Sequence, residues 1–222
     1  MVILFDVDNT LLDNDAVIRD LRDYLARVAN AERAAEYFRI LEVLRARLGY
    51  VDYLGTLQQY RAEHPDDFPF LQAAQFLIDY PFRDRLFDGA LAAVRVAGEL
   101  GTAAILSDGD VVFQPRKIER AGLWDAVAGR VMIHVHKEQQ LAAVEHALPA
   151  EHYVLVDDKR TLLGAIKAQW QDRVTTVWVK QGHYATAPDV ERAVPADLVI
   201  ERIVDFARFS ATDFAGGRST AR

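Results

Sequence analysis

Residues 1–13 read Met-Val-Ile-Leu-Phe-Asp-Val-Asp-Asn-Thr-Leu-Leu-Asp, an apolar run that ends in two carboxylates and a hydroxyl. The run Val2–Phe5 predicts a short buried strand. Alternate side chains of a strand point the same way, so Asp6 and Asp8 should leave its end close together. Two like charges at that range repel by about 1–4 kcal/mol, and a cation between them would relieve the repulsion. An acidic turn is the simpler alternative, because Asp and Asn are common turn formers.

The bulk composition of the 222 residues is that of a globular protein, with 51% hydrophobic and 27% charged residues. A net charge of -7 argues against a broad nucleic-acid-binding surface. The absence of cysteine excludes disulfides, thiolate chemistry and cysteine-ligated zinc. Neither a secretory leader nor an apolar run of about 20 residues is evident, so we expect a cytoplasmic protein without membrane partners.

Apolar residues between positions 15 and 80 recur at three- and four-residue spacing, which predicts four helices and no strand. The third helix should cover Val51–Glu63, and the fourth should stop at Tyr80-Pro81. This block holds six of the eight tyrosines and no lysine. We expect it to form a small helical domain that fills its own core.

The rest of the chain alternates strands with helices, which predicts an α/β fold with a parallel sheet and right-handed crossovers. We expect a Rossmann-like three-layer core of residues 1–14 and 86–222, with an inserted all-helical domain of residues 15–85. A final helix should cover Glu201–Phe209, and the tail Thr212–Arg222 should fray. The remaining predicted strands are Thr102–Leu106, Val131–Val135, Tyr153–Val156, Val174–Val179 and an edge strand, Leu198–Ile200, and the helices between them are Ala90–Glu99, Pro115–Ala121, Glu138–Leu148 and Thr161–Trp170.

Polar residues follow the predicted strands at the edge where parallel sheets bind ligands. Clustered carboxylates form a hard oxygen site suited to Mg²⁺. A hydroxyl, an amine and a helix N-terminus beside that cation suit a phosphate. In chain order these strand-end residues are Asp6, Asp8, Thr10, Ser107, Lys137, Asp157 and Asp158.

The order and spacing of these groups resemble the haloacid dehalogenase superfamily, specifically its capped phosphatase branch. The family's Asp-x-Asp-x-Thr motif matches residues 6–10, and its second motif matches Ser107-Asp108-Gly109. Its lysine matches Lys137, and its acidic pair matches Asp157-Asp158. The helical block lies where the family inserts its cap.

The resemblance implies that Asp6 is a nucleophile forming an aspartyl-phosphate, and that Asp8 is the general acid and base. It implies Mg²⁺ as cofactor, held by Asp6, by the Asp8 carbonyl, and by Asp157 or Asp158. Alignment on the family's Gly-Asp favours Asp158, although the later acid of the common motif is missing here. The phosphate-binding residues would be Thr10, Ser107, Asp108 and Lys137.

The implied reaction is Mg²⁺-dependent hydrolysis of a small phosphorylated metabolite. The family's dehalogenases lack an acid at the position of Asp8, and its phosphonate-cleaving branch uses a cap lysine that this block lacks. A phosphotransferase or phosphomutase stays open as an alternative. A receiver-type signalling domain is a more distant one, because it is about half this length and carries adjacent acids after its first strand.

Several other polar residues are predicted to be structural. Lys117 competes with Lys137 for the lysine role, but its position inside a helix predicts a solvated side chain. His134 and His136 lack a third nitrogen or sulfur ligand nearby. The other acids near the motifs should cap helices or form turns: Asp13, Asp15 and Asp110.

Overall fold

The computed structural model describes residues 1–66, 69–187 and 193–214. Six parallel strands form one sheet in the order β3-β2-β1-β4-β5-β6. The strands are β1 (Val2–Phe5), β2 (Thr102–Asp108), β3 (Val131–His134), β4 (Tyr153–Asp157), β5 (Val174–Val179) and β6 (Leu198–Ile200). The predicted α/β class and all six predicted strands are confirmed, with β6 at the edge.

Helices connect these strands and form the outer layers. They are α1 (Asn14–Val28), α2 (Ala31–Leu48), α3 (Tyr53–Glu63), α4 (Pro69–Asp79), α5 (Ala90–Leu100), α6 (Phe113–Arg120), α7 (Leu123–Ala126), α8 (Leu141–Ala147), α9 (Arg160–Trp170) and α10 (Ala211–Phe214). None of the helices in the described ranges is long and apolar enough to cross a membrane.

The sheet separates two apolar cores because alternate strand residues face opposite sides. Ile3 and Phe5 pack in the core that also includes the buried faces of α1 to α6. Val2 and Leu4 face the other core, which α8 and α9 cover. The inner strands β1, β2, β4 and β5 are therefore buried on both faces over most of their length, which explains why they read as largely apolar runs.

Helices α1–α4, which we call the helical insertion, lie between β1 and β2 in the chain. The N-caps of the first three are polar side chains that accept backbone N–H groups, as predicted for Asp13. The chain enters and leaves the insertion side by side. The Asp13 N–H donates to the Arg85 carbonyl at 2.8 Å, and the Phe87 N–H donates to the Leu11 carbonyl at 2.9 Å.

Three predicted elements differ in detail from the structure. The helix expected from Pro115 begins two residues earlier at Phe113, because the Asp110 carboxylate accepts the N–H groups of Val112 and Phe113. The helices expected over 138–148 and 201–209 are partly 3-10 helix, at Lys137–Gln139 and Ile203–Arg208.

The prediction of a frayed tail is wrong for its first residues. Residues 211–214 form a helical turn, and Phe214 is buried against Phe206 and Phe209. Burial of one aromatic side chain stabilises this turn. Residues 215–222 lie outside the described ranges.

The central strand β4 offers a test of the packing. Leu155 is fully buried, whereas Leu71 on α4 is 52% exposed. We expect Leu155→Ala to lower the free energy of unfolding by about 2–5 kcal/mol, because it leaves a cavity. The same truncation at Leu71 should change it by less than about 0.5 kcal/mol. Urea denaturation measures both, and equal losses would contradict the assigned core.

Candidate active site

Three carboxylates meet at the carboxyl ends of β1 and β4. Oxygen atoms of Asp6, Asp157 and Asp158 all lie within 4.8 Å of one another, and all three residues are buried. Asp6 follows β1 directly, and parallel pairing of β1 with β4 aligns Phe5 with Val156, which brings the acids together. The sequence prediction that these strand ends converge is confirmed.

Lys137 supplies the positive charge in this cluster. Its Nζ donates to Asp6 Oδ1 at 2.6 Å, to Asp157 Oδ2 at 2.7 Å and to the Leu106 carbonyl at 3.2 Å. Burial opposes the charge of the ammonium, but the carboxylates of Asp157, Asp6 and Asp108 outweigh this effect and raise the pKa of Lys137. An ammonium has three N–H donors, so all of its donors are used by protein acceptors.

Asp158 differs from the other two acids because neither of its carboxylate oxygens has a hydrogen-bond partner among the described residues. Burial, with the charges of Asp157 and Asp6, raises its pKa well above the ordinary value. Burial likewise raises the pKa of Asp157, although Lys137 opposes the shift. A buried carboxylate without a donor is costly, and a hard divalent cation is the group that would satisfy it.

The other predicted phosphate-binding side chains lie around the cluster with separate contacts. Thr10 Oγ1 accepts the N–H of Asp158 at 3.1 Å, and Ser107 Oγ accepts from Gln114 at 2.9 Å. The Asp108 carboxylate accepts the backbone N–H of Lys137 at 2.8 Å. A carboxylate has no proton to give to a phosphoryl oxygen, so any phosphate contact at Asp108 would come from its backbone.

Asp8 lies at the edge of the cluster, with its side chain 31% exposed. Its two oxygens accept from α6: Lys117 Nζ donates to Oδ1 at 2.7 Å, and Gln114 Nε2 donates to Oδ2 at 3.2 Å. The predicted solvated position of Lys117 is therefore wrong, because the residue is only 1% exposed. Lys137 does hold the position beside Asp6 that was predicted for it.

A cavity of about 90 Å³ opens beside Asp8, between the core and the helical insertion. Among the described residues, the insertion contributes apolar and aromatic side chains, the amide of Asn14 and one cation, Arg45. Arg45 Nη2 donates to the Tyr184 hydroxyl at 2.5 Å. Lys159 lies over the Tyr184 ring at 4.9 Å. Burial disfavours the Lys159 ammonium, but Asp6 and Tyr184 outweigh it and raise its pKa.

Sequence reasoning missed Gln114, set Lys117 aside in favour of Lys137, and missed Asn14 and Lys159. A signal existed for the first two: they lie three positions apart on the helix that follows Ser107, so they share one helix face beside the strand end. The two histidines that were discounted, His134 and His136, have no place in the acidic cluster.

Asp15 and Asn9 hold the loop that carries the acids. Asn9 adopts a left-handed conformation with φ of 60°. Its side chain donates to Asp15 Oδ1 at 3.1 Å and accepts the Asp15 N–H at 3.2 Å. Asp15 also accepts the N–H of His183 at 2.9 Å. Asp15 is thus a structural residue, as predicted, although it fixes a loop and Asp13 caps the helix.

Comparisons with known proteins agree with this geometry. Residues 1–169 match the family model described as haloacid dehalogenase-like hydrolase. A crystal structure described as a haloacid dehalogenase-like hydrolase, from Burkholderia xenovorans LB400, is 54% identical, covers 95% of this chain and 98% of its own, and has a TM-score of 0.91. No protein among the curated sequences matches the chain significantly.

More distant solved structures share the fold. The HAD-hydrolase YfnB of Bacillus subtilis, bound to magnesium, has a TM-score of 0.64 at 16% identity, covering 93% of this chain and 96% of that one. L-2-haloacid dehalogenase of Xanthobacter autotrophicus, with chloropropionic acid covalently bound, has a TM-score of 0.59 at 21% identity over the same shares. The family model and the 54% identical structure show that the chain belongs to the haloacid dehalogenase-like hydrolases.

Proposed function

We propose that the protein is a Mg²⁺-dependent phosphomonoesterase that acts on a small phosphorylated metabolite. The observation that carries the proposal is the placement of Asp8. Its carboxylate lines the cavity between the core and the helical insertion, two positions after the buried Asp6 in the chain, so the leaving group of a phosphate ester attacked by Asp6 would lie on the side of Asp8. An ester oxygen needs a proton when it leaves, and a halide does not.

The cation site supports this reading. In the part of the chain that the structure describes, the two buried oxygens of Asp158 have no hydrogen-bond donor, and Asp6 and Asp157 offer further oxygens within 4.8 Å. These three residues would hold Mg²⁺, with the Asp8 carbonyl as a further ligand. A bound Mg²⁺ would neutralise charge on the phosphoryl group and allow an anionic nucleophile to approach it.

The residues of the chain would divide the reaction between them. A carboxylate oxygen of Asp6 attacks phosphorus, the bond to the leaving oxygen breaks, and Asp8 gives that oxygen a proton. Asp8 then takes a proton from the water that attacks the aspartyl-phosphate, which restores Asp6. Thr10, Ser107 and Lys137 would hold the phosphoryl oxygens, for which Lys137 would exchange one of its three protein acceptors. The helical insertion would act as the cap that excludes water.

Dehalogenation is the competing reaction, because several solved structures of similar fold are haloacid dehalogenases. Those structures are under 25% identical and differ in sequence at most positions. Transfer of the phosphoryl group to a second hydroxyl is the other alternative, and it would use the same acids. The presence of Asp8 favours both phosphoryl reactions over dehalogenation.

Magnesium binding can be tested without any substrate. Adding Mg²⁺ at about 100 times its Kd should raise the melting temperature by about 5–10 °C, because the ion binds only the folded chain. Protons compete with Mg²⁺ for the same acids, because the pKa of Asp158 is raised. The rise in melting temperature that Mg²⁺ causes should therefore be larger at higher pH. Asp158→Asn should lose most of this rise. Asp125 is exposed, so Asp125→Asn should show the same Mg²⁺-induced rise in melting temperature as the native protein. An unchanged rise in Asp158→Asn would contradict the proposed Mg²⁺ site.

Turnover tests the reaction itself. The native protein with Mg²⁺ should release phosphate from 4-nitrophenyl phosphate. Asp6→Asn should lower the rate by at least about 10³-fold, because the nucleophile is gone. Asp8→Asn should lower it by about 10²–10⁴-fold, the usual contribution of a general acid or base.

Dehalogenation is tested by incubating the same preparation with 2-chloropropionate and measuring the release of chloride. Chloride release that survives Asp8→Asn, together with no phosphate release by the native protein, would establish a dehalogenase. Asp125→Asn is the control for both assays, since this residue is exposed and distant from the acidic cluster in sequence.

A further inference from the structure

The Asp8 carboxylate is held from one face of one helix. Gln114 and Lys117 are three positions apart on α6, and each donates to a different oxygen of Asp8. Gln114 also donates to Ser107 Oγ. Two donors on two oxygens fix the rotation of a carboxylate about its own axis, whereas a single donor would leave it free.

Lys117 also connects Asp8 to the helical insertion. Its Nζ donates to Asn14 Oδ1 at 3.1 Å, and Asn14 Nδ2 donates to the Tyr53 hydroxyl at 3.3 Å. Asn14 is the first residue of α1, and Tyr53 is the first residue of α3. A continuous path of three hydrogen bonds therefore runs from the insertion to Asp8, through side chains that are all buried.

Stability alone does not account for a lysine here. An ammonium is costly to bury, and a buried ion pair is often no more stable than apolar residues of similar volume. Lys117 already lies against aromatic rings, with its Nζ 5.3 Å from the centre of Phe113 and 5.9 Å from that of Tyr53. An apolar residue would suit that surrounding, so the charge is better explained by its partner, Asp8.

We propose that Lys117 is a positioning residue that orients the Asp8 carboxylate towards the leaving group. Through Asn14 and Tyr53, Lys117 makes this orientation depend on the position of the helical insertion. This inference rests on the proposed phosphatase function. It assigns the second buried lysine of the site a task separate from that of Lys137, which contacts Asp6 and Asp157.

The test compares leaving groups in single-turnover experiments, with enzyme in excess and Mg²⁺ present. The substrates are a series from 4-nitrophenyl phosphate to phenyl phosphate, whose phenols are progressively weaker acids. Lys117→Met should slow release of phenol by about 10²-fold and of nitrophenol by less than about 10-fold, because a poor leaving group depends more on a well-aimed acid. Lys117→Arg should recover part of the loss.

Three further variants separate positioning from a structural role. Tyr53→Phe removes one hydrogen bond at the far end of the path and should show the same leaving-group trend at about fivefold. Arg116→Met on the exposed side of α6 should leave the whole series unchanged. A calorimetric melt of each variant shows whether it is folded.

The outcomes distinguish this inference from the proposed function. Equal slowing of all the phosphates by Lys117→Met, in a folded protein, would overturn the positioning role and leave the phosphatase intact. A native protein that hydrolyses none of the phosphates would overturn the proposed function, and the positioning role with it. A steeper dependence on the leaving group in Lys117→Met and Tyr53→Phe supports the inference.

Discussion

The carboxylates at the end of β1 and β4 repel one another, and much of the site is arranged around that repulsion. Asp6, Asp157 and Asp158 lie within 4.8 Å in a buried position, where like charges interact strongly. Lys137 pairs with Asp6 and Asp157, and the pKa values of Asp157 and Asp158 are nevertheless raised, mainly by burial and further by the neighbouring carboxylates. Parallel strand pairing imposes this convergence, and within the described residues it leaves both carboxylate oxygens of Asp158 without a hydrogen-bond donor.

The two buried lysines of the site, Lys137 and Lys117, pair with different acids. Lys137 donates to acceptors at the ends of the strands, including Asp6 and Asp157. Lys117 reaches the site from α6, and within the described residues its ion pair is with Asp8. The result is two carboxylates two residues apart in the chain with different surroundings: one in the buried cluster and one at the cavity. Such a difference in environment is what allows neighbouring acids to take different tasks.

Much of this arrangement could be predicted from the sequence, because it depends on local patterns. Apolar runs predicted the strands, and polar residues directly after Phe5, Leu106 and Val156 predicted the cluster, since parallel strands end at one edge. Lys117 could not be placed in the same way. Within a helix, a lysine is exposed or buried according to which tertiary surface its face meets, and the position of α6 against Asp8 is set by contacts distant in the chain. The cavity residues depend likewise on how the insertion packs.

The paired entry and exit of the helical insertion has a consequence for how such a protein can change. Backbone hydrogen bonds between residues 11–13 and 85–87 hold the two crossing segments together, so the covalent connection between the core and the insertion consists of two adjacent chain segments. A segment whose ends are already adjacent can be lengthened, shortened or exchanged at little cost in loop-closure entropy. The helical insertion, which lines the cavity beside Asp8, can therefore vary in sequence and length while the acids at the edge of the sheet stay in place.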